Sequence, residues 1–149
     1  MTRCPMSADV LRSMPPAVSQ WYEIGQDRIT AFADVTQDWQ FIHLDEARMA
    51  PQGGTIAHGF LMLSMLSAMS YDVRPDIPGL VQGLNYGFDR LRFVSPVRAG
   101  QRIRGRFKVA EVVGQPGRYD VAWDVAVEID GAEKPALVVR WINVFEVSG

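Results

Sequence analysis

The chain contains two histidines, and each lies beside residues that could act on a substrate. His43 follows Asp38 by five positions in the segment DWQFIHLD. A carboxylate and an imidazole that meet at one point can hold a water molecule and exchange a proton with it, which is general acid–base chemistry. Because side chains on one helix face are three or four residues apart, these two can meet only if a helix ends near Thr36 and the chain then turns. Alternatively, both residues only stabilise a turn through local hydrogen bonds.

The second histidine, His58, precedes Gly59 at the start of an apolar segment, IAHGFLMLSMLSAMSY. The first N–H groups of a helix have no partner inside the helix and point at whatever lies before it. A glycine at this position lets a substrate carbonyl come close, and the helix dipole favours a developing oxyanion. Gly59 is therefore a candidate oxyanion donor. The alternative is that Gly59 only allows close packing at the start of a buried helix.

The two histidines and a nearby carboxylate, Asp38 or Asp45, have the composition of a metal site with two histidines and one carboxylate. No close ligand spacing such as HxxxH accompanies them. We therefore expect no metal at these residues.

A predicted strand carries four cations at alternating positions, and therefore on one face: Arg102, Arg104, Arg106 and Lys108. Such a row could bind the phosphates of a nucleotide-containing substrate. The facing strand carries acidic residues on its polar side: Asp120, Asp124 and Glu128. Since exposed strand faces are routinely charged and opposite charges pair across strands, we favour a solvated face over a phosphate site.

The helices that must position these residues are predicted from hydrophobic periodicity. Residues 27–36 have apolar positions close to helical spacing, and Asp45 could cap a short helix that follows. Residues 56–71 are apolar on every helical face, which is typical of a helix buried inside a protein. This segment is too short to span a membrane.

The second half of the chain is predicted to form strands. Residues 119–130 alternate strictly between apolar and polar side chains, and the turn at residues 114–117 joins them to a strand at 102–113. Further strands are predicted at 20–25, 84–93 and 135–147, and the last is apolar on both parities, as expected of an interior strand. The order of helices followed by strands indicates an α+β protein in which a curled antiparallel sheet surrounds a buried helix.

Composition limits the class of protein. The 149 residues are 48% hydrophobic and 21% charged, as expected of one globular domain over residues 1–149, with residues 1–18 as an N-terminal arm. The net charge of −2 favours neither a nucleic acid nor an anionic membrane as a partner. The single cysteine, Cys4, forms no internal disulfide, and no signal-peptide pattern is present. These features predict a cytoplasmic protein.

In its order of motifs the sequence resembles the MaoC-like dehydratase family of hot-dog proteins, and within it the nodulation-protein-N-like branch. The similar stretches are ITAFADVTQDWQFIHLDEARMAPQGGTIAHGFLMLSML, LNYGFDRLRFVSPVRAGQRIRGRF and EKPALVVRWINVFEV. The most specific part is the pattern D-x-x-x-x-H followed by GGTIAHGF. Either half alone would carry much less information.

The resemblance implies a hot-dog fold, in which an antiparallel sheet wraps around a long helix, and a homodimer. It implies hydration of trans-2-enoyl-coenzyme A thioesters to (R)-3-hydroxyacyl thioesters, as in fatty acid metabolism. Carried over to this chain, Asp38 and His43 are the catalytic pair and Gly59 is the oxyanion donor, with His58 beside it at the substrate.

Two further residues are assigned by the same resemblance. Ser67 corresponds to a serine that supports the catalytic aspartate in related hydratases. Gln40 stands where the wider family has asparagine, and its amide can still bind a water.

Neither a metal nor another cofactor is implied, and the expected partners are an acyl-CoA thioester and a second copy of the chain. The alternatives are a hot-dog acyl-CoA thioesterase and a non-catalytic acyl-thioester-binding module.

Overall fold

The computed structural model describes residues 7–148, so Cys4, the other residues before Ser7 and Gly149 lie outside the described part. Within that part the helices are α1 Ser7–Arg12, α2 Gln26–Thr36, α3 Phe41–Leu44, α4 Glu46–Met49, a 3-10 helix Ala50–Gln52, α5 Gly59–Ser64 and α6 Leu66–Val73. The strands are β1 Ala17–Val18, β2 Tyr22–Ile24, β3 Leu80–Phe93, β4 Gln101–Gln115, β5 Arg118–Ile129 and β6 Leu137–Val147.

The strands form one antiparallel sheet in the order β1-β4-β5-β6-β3, and β2 also pairs with β4. The predicted hairpin is confirmed as β4–β5, joined at the expected glycine-containing turn. Gly114 has a φ of +138°, and a Cβ there would collide with the carbonyl oxygen of Arg118. Only glycine therefore fits this turn without strain.

Helices α5 and α6 lie against the concave face of this sheet, which confirms the α+β hot-dog arrangement. The side chains that the helices bury include Leu61, Met62, Met65, Leu66 and Met69, and the sheet contributes Phe107, Trp123 and Trp141. This packing removes a large apolar area from water, and it fixes where the helix begins relative to the sheet.

The buried helix differs from its prediction in two respects. It begins at Gly59, as predicted, but it is divided into α5 and α6 at Met65. One face of it is uncovered: Phe60 is 69% exposed and Tyr71 is 68% exposed. The expectation of burial on every side is therefore wrong for the chain by itself, because the sheet covers only one side of the helix.

The remaining strand predictions are confirmed with shifted ends. Strand β3 begins at Leu80 rather than at residue 84, and β6 is an interior strand between β5 and β3. On one face of β6 every residue except Val147 is buried, whereas on its other face only Val144 is. The N-terminal arm is packed in its described part, since α1 buries Leu11 and β1 pairs with β4. Strand β1 is two residues long and has no periodic signal in the sequence.

Three of the four cations of β4, Arg102, Arg104 and Arg106, pair with acidic residues, which supports the solvated face. Glu128 accepts from Arg104 Nε at 2.7 Å and from Arg106 Nε at 2.9 Å, and Arg102 pairs with Asp130. The expected pairing of β4 with Asp120 and Asp124 is not found, because these carboxylates form ion pairs with Arg118 and Arg140 instead. The hydrogen bond from Arg104 lowers the pKa of Glu128, with help from Arg106 and against the effect of partial burial.

This lowered pKa predicts how Arg104→Gln changes stability with pH. A carboxyl whose pKa is lower in the folded than in the unfolded chain stabilises the fold above its ordinary pKa, and this contribution is lost as the pH falls through the folded value. We expect Arg104→Gln to lower the free energy of unfolding by about 1 kcal/mol or less at neutral pH, and by less at an acidic pH below the ordinary pKa of the carboxyl. Urea unfolding at both pH values measures this, and an equal loss at both would contradict it.

No helix among residues 7–148 is long and apolar enough to cross a membrane.

Candidate active site

The loop that carries Asp38 is produced by the end of α2. That helix ends at Thr36, and Gln37 has a left-handed conformation with φ of 62°. A left-handed residue stops a helix and turns the chain. Asp38 follows at once, and α3 begins at Phe41 and carries His43. The turn required for Asp38 and His43 to meet is therefore present.

Asp38 and His43 face each other across a gap. The distance from His43 Nε2 to Asp38 Oδ2 is 3.9 Å, which is too long for a direct hydrogen bond. The Asp38 side chain is 51% exposed and that of His43 is 7% exposed. The carboxylate thus lies at the mouth of a site whose imidazole is inside it.

The tautomer of His43 follows from its other nitrogen. Nδ1 lies 2.7 Å from the carbonyl oxygen of Ile56, and a carbonyl oxygen can only accept a hydrogen bond. Nδ1 must therefore carry the hydrogen in the neutral ring. Nε2 is then left with a free lone pair directed toward Asp38, so it can accept a proton.

His58 holds the Asp38 loop in place. Its Nε2 lies 3.0 Å from the carbonyl oxygen of Asp38 and donates to it. Its ring stacks on that of His43 with centroids 3.7 Å apart, and the Phe32 ring packs against it at a tilt with centroids 4.9 Å apart. Since His58 is buried and bonds the backbone of the loop, the structure makes it a positioning residue more than a substrate contact.

Gly59 is the first residue of α5, directly after His58. Its N–H belongs to the first turn, whose N–H groups have no acceptor within the helix. A Cβ at this position would lie 3.0 Å from the Phe93 ring, so Gly59 is also a point of close packing. Both interpretations of this glycine are therefore compatible with the structure, and they need an experiment to separate them.

A cavity of about 490 Å³ contains these groups. Its walls are Asp38, Ile42 and His43, residues 56–60 with Met62, residues 93–97, and Ala136. Residues 93–97 were not predicted to line the site, because in the sequence Phe93 and Val94 resemble core residues at the end of a strand. Apart from the imidazoles and the carboxylate, the walls are mostly apolar, as in sites that bind an acyl or alkyl group.

Two predicted site residues are not brought to this cavity. Gln40 caps α3, is exposed, and uses its backbone N–H to bond Asp38 Oδ1 at 3.4 Å. Ser67 lies on α6 and lines a different cavity. The single chain does not bring Ser67 to Asp38, and its assignment as a support of Asp38 stays a prediction.

Asp38, His43 and His58 form the cluster of potential metal ligands at this site, since one ligand atom of each lies within 4.8 Å of the other two. An imidazole lone pair lies in the plane of its ring, and a zinc–nitrogen bond is about 2.0–2.1 Å long. The two rings are stacked and their planes differ by only 20°. Their lone pairs therefore do not converge, and the group does not fit a shared divalent ion.

A second open cavity, of about 560 Å³, lies on the outer face of the sheet beside Arg106, Lys108 and Arg140. No imidazole lines it, and its one carboxylate, Asp124, is paired with Arg140 at 3.6 Å. It offers no proton-transfer group, so the cavity at Asp38 and His43 is the candidate active site.

Comparison with known proteins shows the family and the fold of the chain. The model of the family described as MaoC like domain matches residues 11–129. Nodulation protein N of Rhizobium leguminosarum bv. viciae is 47% identical over 132 residues, which cover 86% of this chain and 82% of that protein. The 3-hydroxyacyl-thioester dehydratase Z of Mycobacterium tuberculosis (strain ATCC 25618 / H37Rv) is 37% identical over 128 residues, which cover 83% of each.

A solved structure has the same architecture. The R-hydratase PhaJ1 from Pseudomonas aeruginosa, in its unliganded form, superposes with a TM-score of 0.70 at 25% sequence identity. The match covers 97% of this chain and 92% of that one. The similarity therefore extends over the sheet and the helices that form the cavity.

Proposed function

The chain belongs to the MaoC-like domain family, and from that membership and the geometry of its cavity we propose that it is a hydratase of trans-2-enoyl thioesters. The product is the (R)-3-hydroxyacyl thioester, and the reverse reaction is the dehydration. Relatives named as a 3-hydroxyacyl-thioester dehydratase and an R-hydratase support this reaction class.

The observation that carries the proposal is the gap between His43 Nε2 and Asp38 Oδ2. A water oxygen can lie about 2.8 Å from both atoms, because they are 3.9 Å apart. Both atoms are acceptors, since the Nδ1 of His43 holds the hydrogen and Asp38 is a carboxylate. A water that donates both hydrogens to these atoms turns its lone pairs toward a third group. This arrangement makes the water a nucleophile.

The proposed reaction is an addition that balances without a cofactor. The water oxygen forms a bond to the β-carbon of the enoyl group, while one O–H bond breaks and its proton passes to the catalytic pair. The electron pair of the carbon–carbon double bond moves toward the thioester carbonyl. The catalytic pair, Asp38 and His43, then returns the proton to the α-carbon, so that the net change is addition of one water.

The thioester oxygen gains negative charge during this step. The N–H of Gly59, at the start of α5, is the donor that we assign to it. The helix dipole adds a positive partial charge at the same end. The apolar walls of the cavity keep bulk water away, which strengthens both effects.

Two assays run side by side test the proposal. We expect purified protein to consume crotonyl-CoA, measured by loss of the absorbance of the conjugated double bond, without release of free thiol. Release of thiol from an acyl-CoA would instead identify a thioesterase. Binding of the thioester with neither reaction would identify a binding module and overturn the hydratase.

We also propose that the enzyme acts as a homodimer joined at strand β3. This strand is the edge of the sheet, is 14 residues long and is almost entirely exposed. It carries large exposed apolar side chains, at Val81, Leu84 and Tyr86 among others, and the uncovered face of the helix, with Phe60 and Tyr71, is equally apolar. Long apolar edges are normally paired, and a second copy of the edge is self-complementary.

The dimer is tested by light scattering at micromolar concentration. We expect the wild-type chain to have twice the monomer mass and the variant Val81→Lys/Tyr86→Lys to have the monomer mass, since buried lysines would repel across the twofold axis. The control is Val35→Lys, which changes a valine on α2 that is more exposed than Val81, and this variant should remain dimeric. A monomeric wild-type protein would rule out this assembly.

The pairing of the basic face predicts that it takes no part in substrate binding. We expect Arg102→Gln and Arg106→Gln to leave the KM for acyl-CoA nearly unchanged, because both arginines already pair with carboxylates. Stability should change by about 0–1 kcal/mol at most, as for other exposed ion pairs. Steady-state kinetics measure this, and a tenfold rise in KM for either variant would show that it contacts the coenzyme phosphates.

A further inference from the structure

Two polar residues outside the cavity at Asp38 and His43 are hydrogen-bonded to each other and to the backbone of His43. Gln26, the first residue of α2, donates from its amide nitrogen Nε2 to the carbonyl oxygen of His43 at 2.8 Å. Its amide oxygen Oε1 accepts from the hydroxyl of Thr55 at 2.5 Å. Thr55 is only 2% exposed, and among residues 7–148 the walls of the cavity include neither Gln26 nor Thr55. Both can therefore act on a substrate only through other residues.

The orientation of the Gln26 amide follows from its partners. A carbonyl oxygen only accepts hydrogen bonds, so the amide atom that faces His43 must be Nε2. Oε1 then faces Thr55, whose hydroxyl can donate to it. Nε2 also donates to the hydroxyl of Thr30, which is exposed on α2, at 3.2 Å. Both polar atoms of the amide thus have partners of the right kind, which fixes this side chain in one position.

The residue after Thr55 holds the ring of His43. The carbonyl oxygen of Ile56 accepts from His43 Nδ1 at 2.7 Å. The N–H of Ile56 donates to the carbonyl oxygen of Ile42 at 3.0 Å, so this segment runs directly beside α3. Gln26 therefore links the backbone of His43, through the Thr55 hydroxyl, to the segment that receives the His43 ring.

We propose that Gln26 and Thr55 are positioning residues that orient the imidazole of His43 for the proposed hydration, on which this role rests. The hydrogen bond at Nδ1 sets the tautomer, and Nε2 must keep its lone pair free across the 3.9 Å gap from Asp38 Oδ2. Without the Thr55 hydroxyl, Gln26 Oε1 loses its donor and the segment at Ile56 loses its link to α2. The ring is then free to turn, and a misplacement of about 1 Å can lower a rate by about 10²-fold.

Thr55→Val and Thr55→Ser are the matched variants that test this role. Valine has the shape of threonine without the hydroxyl, whereas serine keeps the hydroxyl and loses a methyl group. We expect Thr55→Val to lower kcat for crotonyl-CoA by about tenfold or more and to leave KM within about twofold, since the residue does not line the cavity. Thr55→Ser should stay within about threefold of the wild-type kcat, because it keeps the hydrogen bond to Gln26.

A second variant and a control act at the other end of the network. Gln26→Met removes the same hydrogen bonds from a side chain that is partly exposed, so it keeps the test open if Thr55→Val does not fold. It should show the same loss in kcat. The control is Thr30→Val, which makes the same change at the other hydroxyl that bonds Gln26 and should retain wild-type kinetics.

The tautomer of His43 gives a readout that does not depend on activity. The chain has two histidines, so ¹⁵N labelling of the imidazoles gives two sets of ring signals, and His43→Gln identifies one set by its loss. The spectra are recorded at about pH 9, above the range in which histidine usually titrates. We expect His43 to be protonated at Nδ1 in the wild-type protein and in Thr30→Val, and a second form protonated at Nε2 to be present in Thr55→Val.

The role is overturned if Thr55→Val keeps both the wild-type kcat and the wild-type His43 signals. An equal loss in Thr55→Ser and Thr55→Val would show that packing, rather than the hydroxyl, matters, and would also overturn it. A rise in KM at unchanged kcat would do the same, since it indicates an effect on substrate binding. If the wild-type protein hydrates no enoyl thioester, the proposed function fails by itself, and the His43 signals of the variants still decide whether Gln26 and Thr55 orient the ring.

Discussion

Asp38→Asn lowers the rate of enoyl-CoA hydration by a factor of about 10²–10⁴, the contribution typical of a general acid–base group, while the protein keeps its fold. The amide has the size of the carboxylate and can still accept from the Gln40 N–H, but it cannot take a proton. Asp38 is half exposed, so the change removes no buried contact. Hydration of crotonyl-CoA measures the loss, and circular dichroism checks the fold.

His43→Gln is expected to lose activity on the same scale. Glutamine can keep a hydrogen bond to the Ile56 carbonyl but offers no basic nitrogen toward Asp38. If both side chains hold one water, the double variant loses little more than the worse single variant, because residues that act as a unit are not additive. Multiplication of the two losses would show that the residues act in separate steps.

Asp45→Asn is the matched control for the carboxylate. Asp45 accepts from the Arg48 N–H at the start of α4 and does not line the cavity, and asparagine caps a helix as well as aspartate does. This variant should keep wild-type activity.

Wild-type hydration should also survive a chelator, since the stacked imidazoles do not fit a shared ion. Full activity of folded Asp38→Asn would overturn the mechanism and favour a binding module.

Gly59→Pro lowers hydration by a factor of about 10²–10³, the loss typical of one oxyanion donor. Proline removes the N–H that we assign to the thioester oxygen. The backbone accepts proline, because Gly59 is the first residue of α5 and proline is common there, while its Cβ meets the Phe93 ring as that of alanine does. The preceding residue, His58, has φ of −58° and ψ of 136°, the extended conformation that a following proline requires.

Gly59→Ala separates the two roles of this glycine. Alanine keeps the N–H but adds a Cβ that would lie 3.0 Å from the Phe93 ring, so it reports only the packing effect. We expect a smaller loss than for proline, and we expect Phe93→Ala to relieve it in the double variant. If alanine and proline lose the same activity, Gly59 serves packing alone and the oxyanion assignment is wrong. Thermal unfolding of each variant confirms that the comparison is made on folded protein.

Local sequence features predicted much of what lies close together along the chain. The alternation of residues 119–130 predicted β5, and the turn at residues 114–117 predicted its pairing with β4. The five-residue separation of Asp38 and His43 required a helix end near Thr36, and α2 ends there. These features depend on backbone periodicity, caps and turns. Such effects act over a few residues, so the order of residues is sufficient to predict them.

The candidate site could be predicted from the sequence only in part. The proximity of Asp38 to His43 was predicted, but the orientation of both comes from residues far along the chain. His43 is oriented by the carbonyl of Ile56, and the Asp38 loop by a hydrogen bond from His58, 20 residues away. A histidine in a sequence carries no sign of which nitrogen it will use or of which carbonyl it will meet. Only the packing of α5 against the loop decides that.

The packing of the sheet over the helix decided which buried residues come into contact and which face of the helix stays exposed. It places Ser67 on a helix segment away from Asp38 and leaves Phe60 and Tyr71 uncovered, although the sequence made this helix equally apolar on all sides. The tertiary structure also places Trp123 and Trp141 opposite each other on neighbouring strands, where neither indole N–H has a hydrogen-bond partner. Hydrophobic patterning indicates which residues are buried but not which of them come into contact with one another. That is set when a twisted sheet closes over a helix, since close packing admits few arrangements of the same side chains.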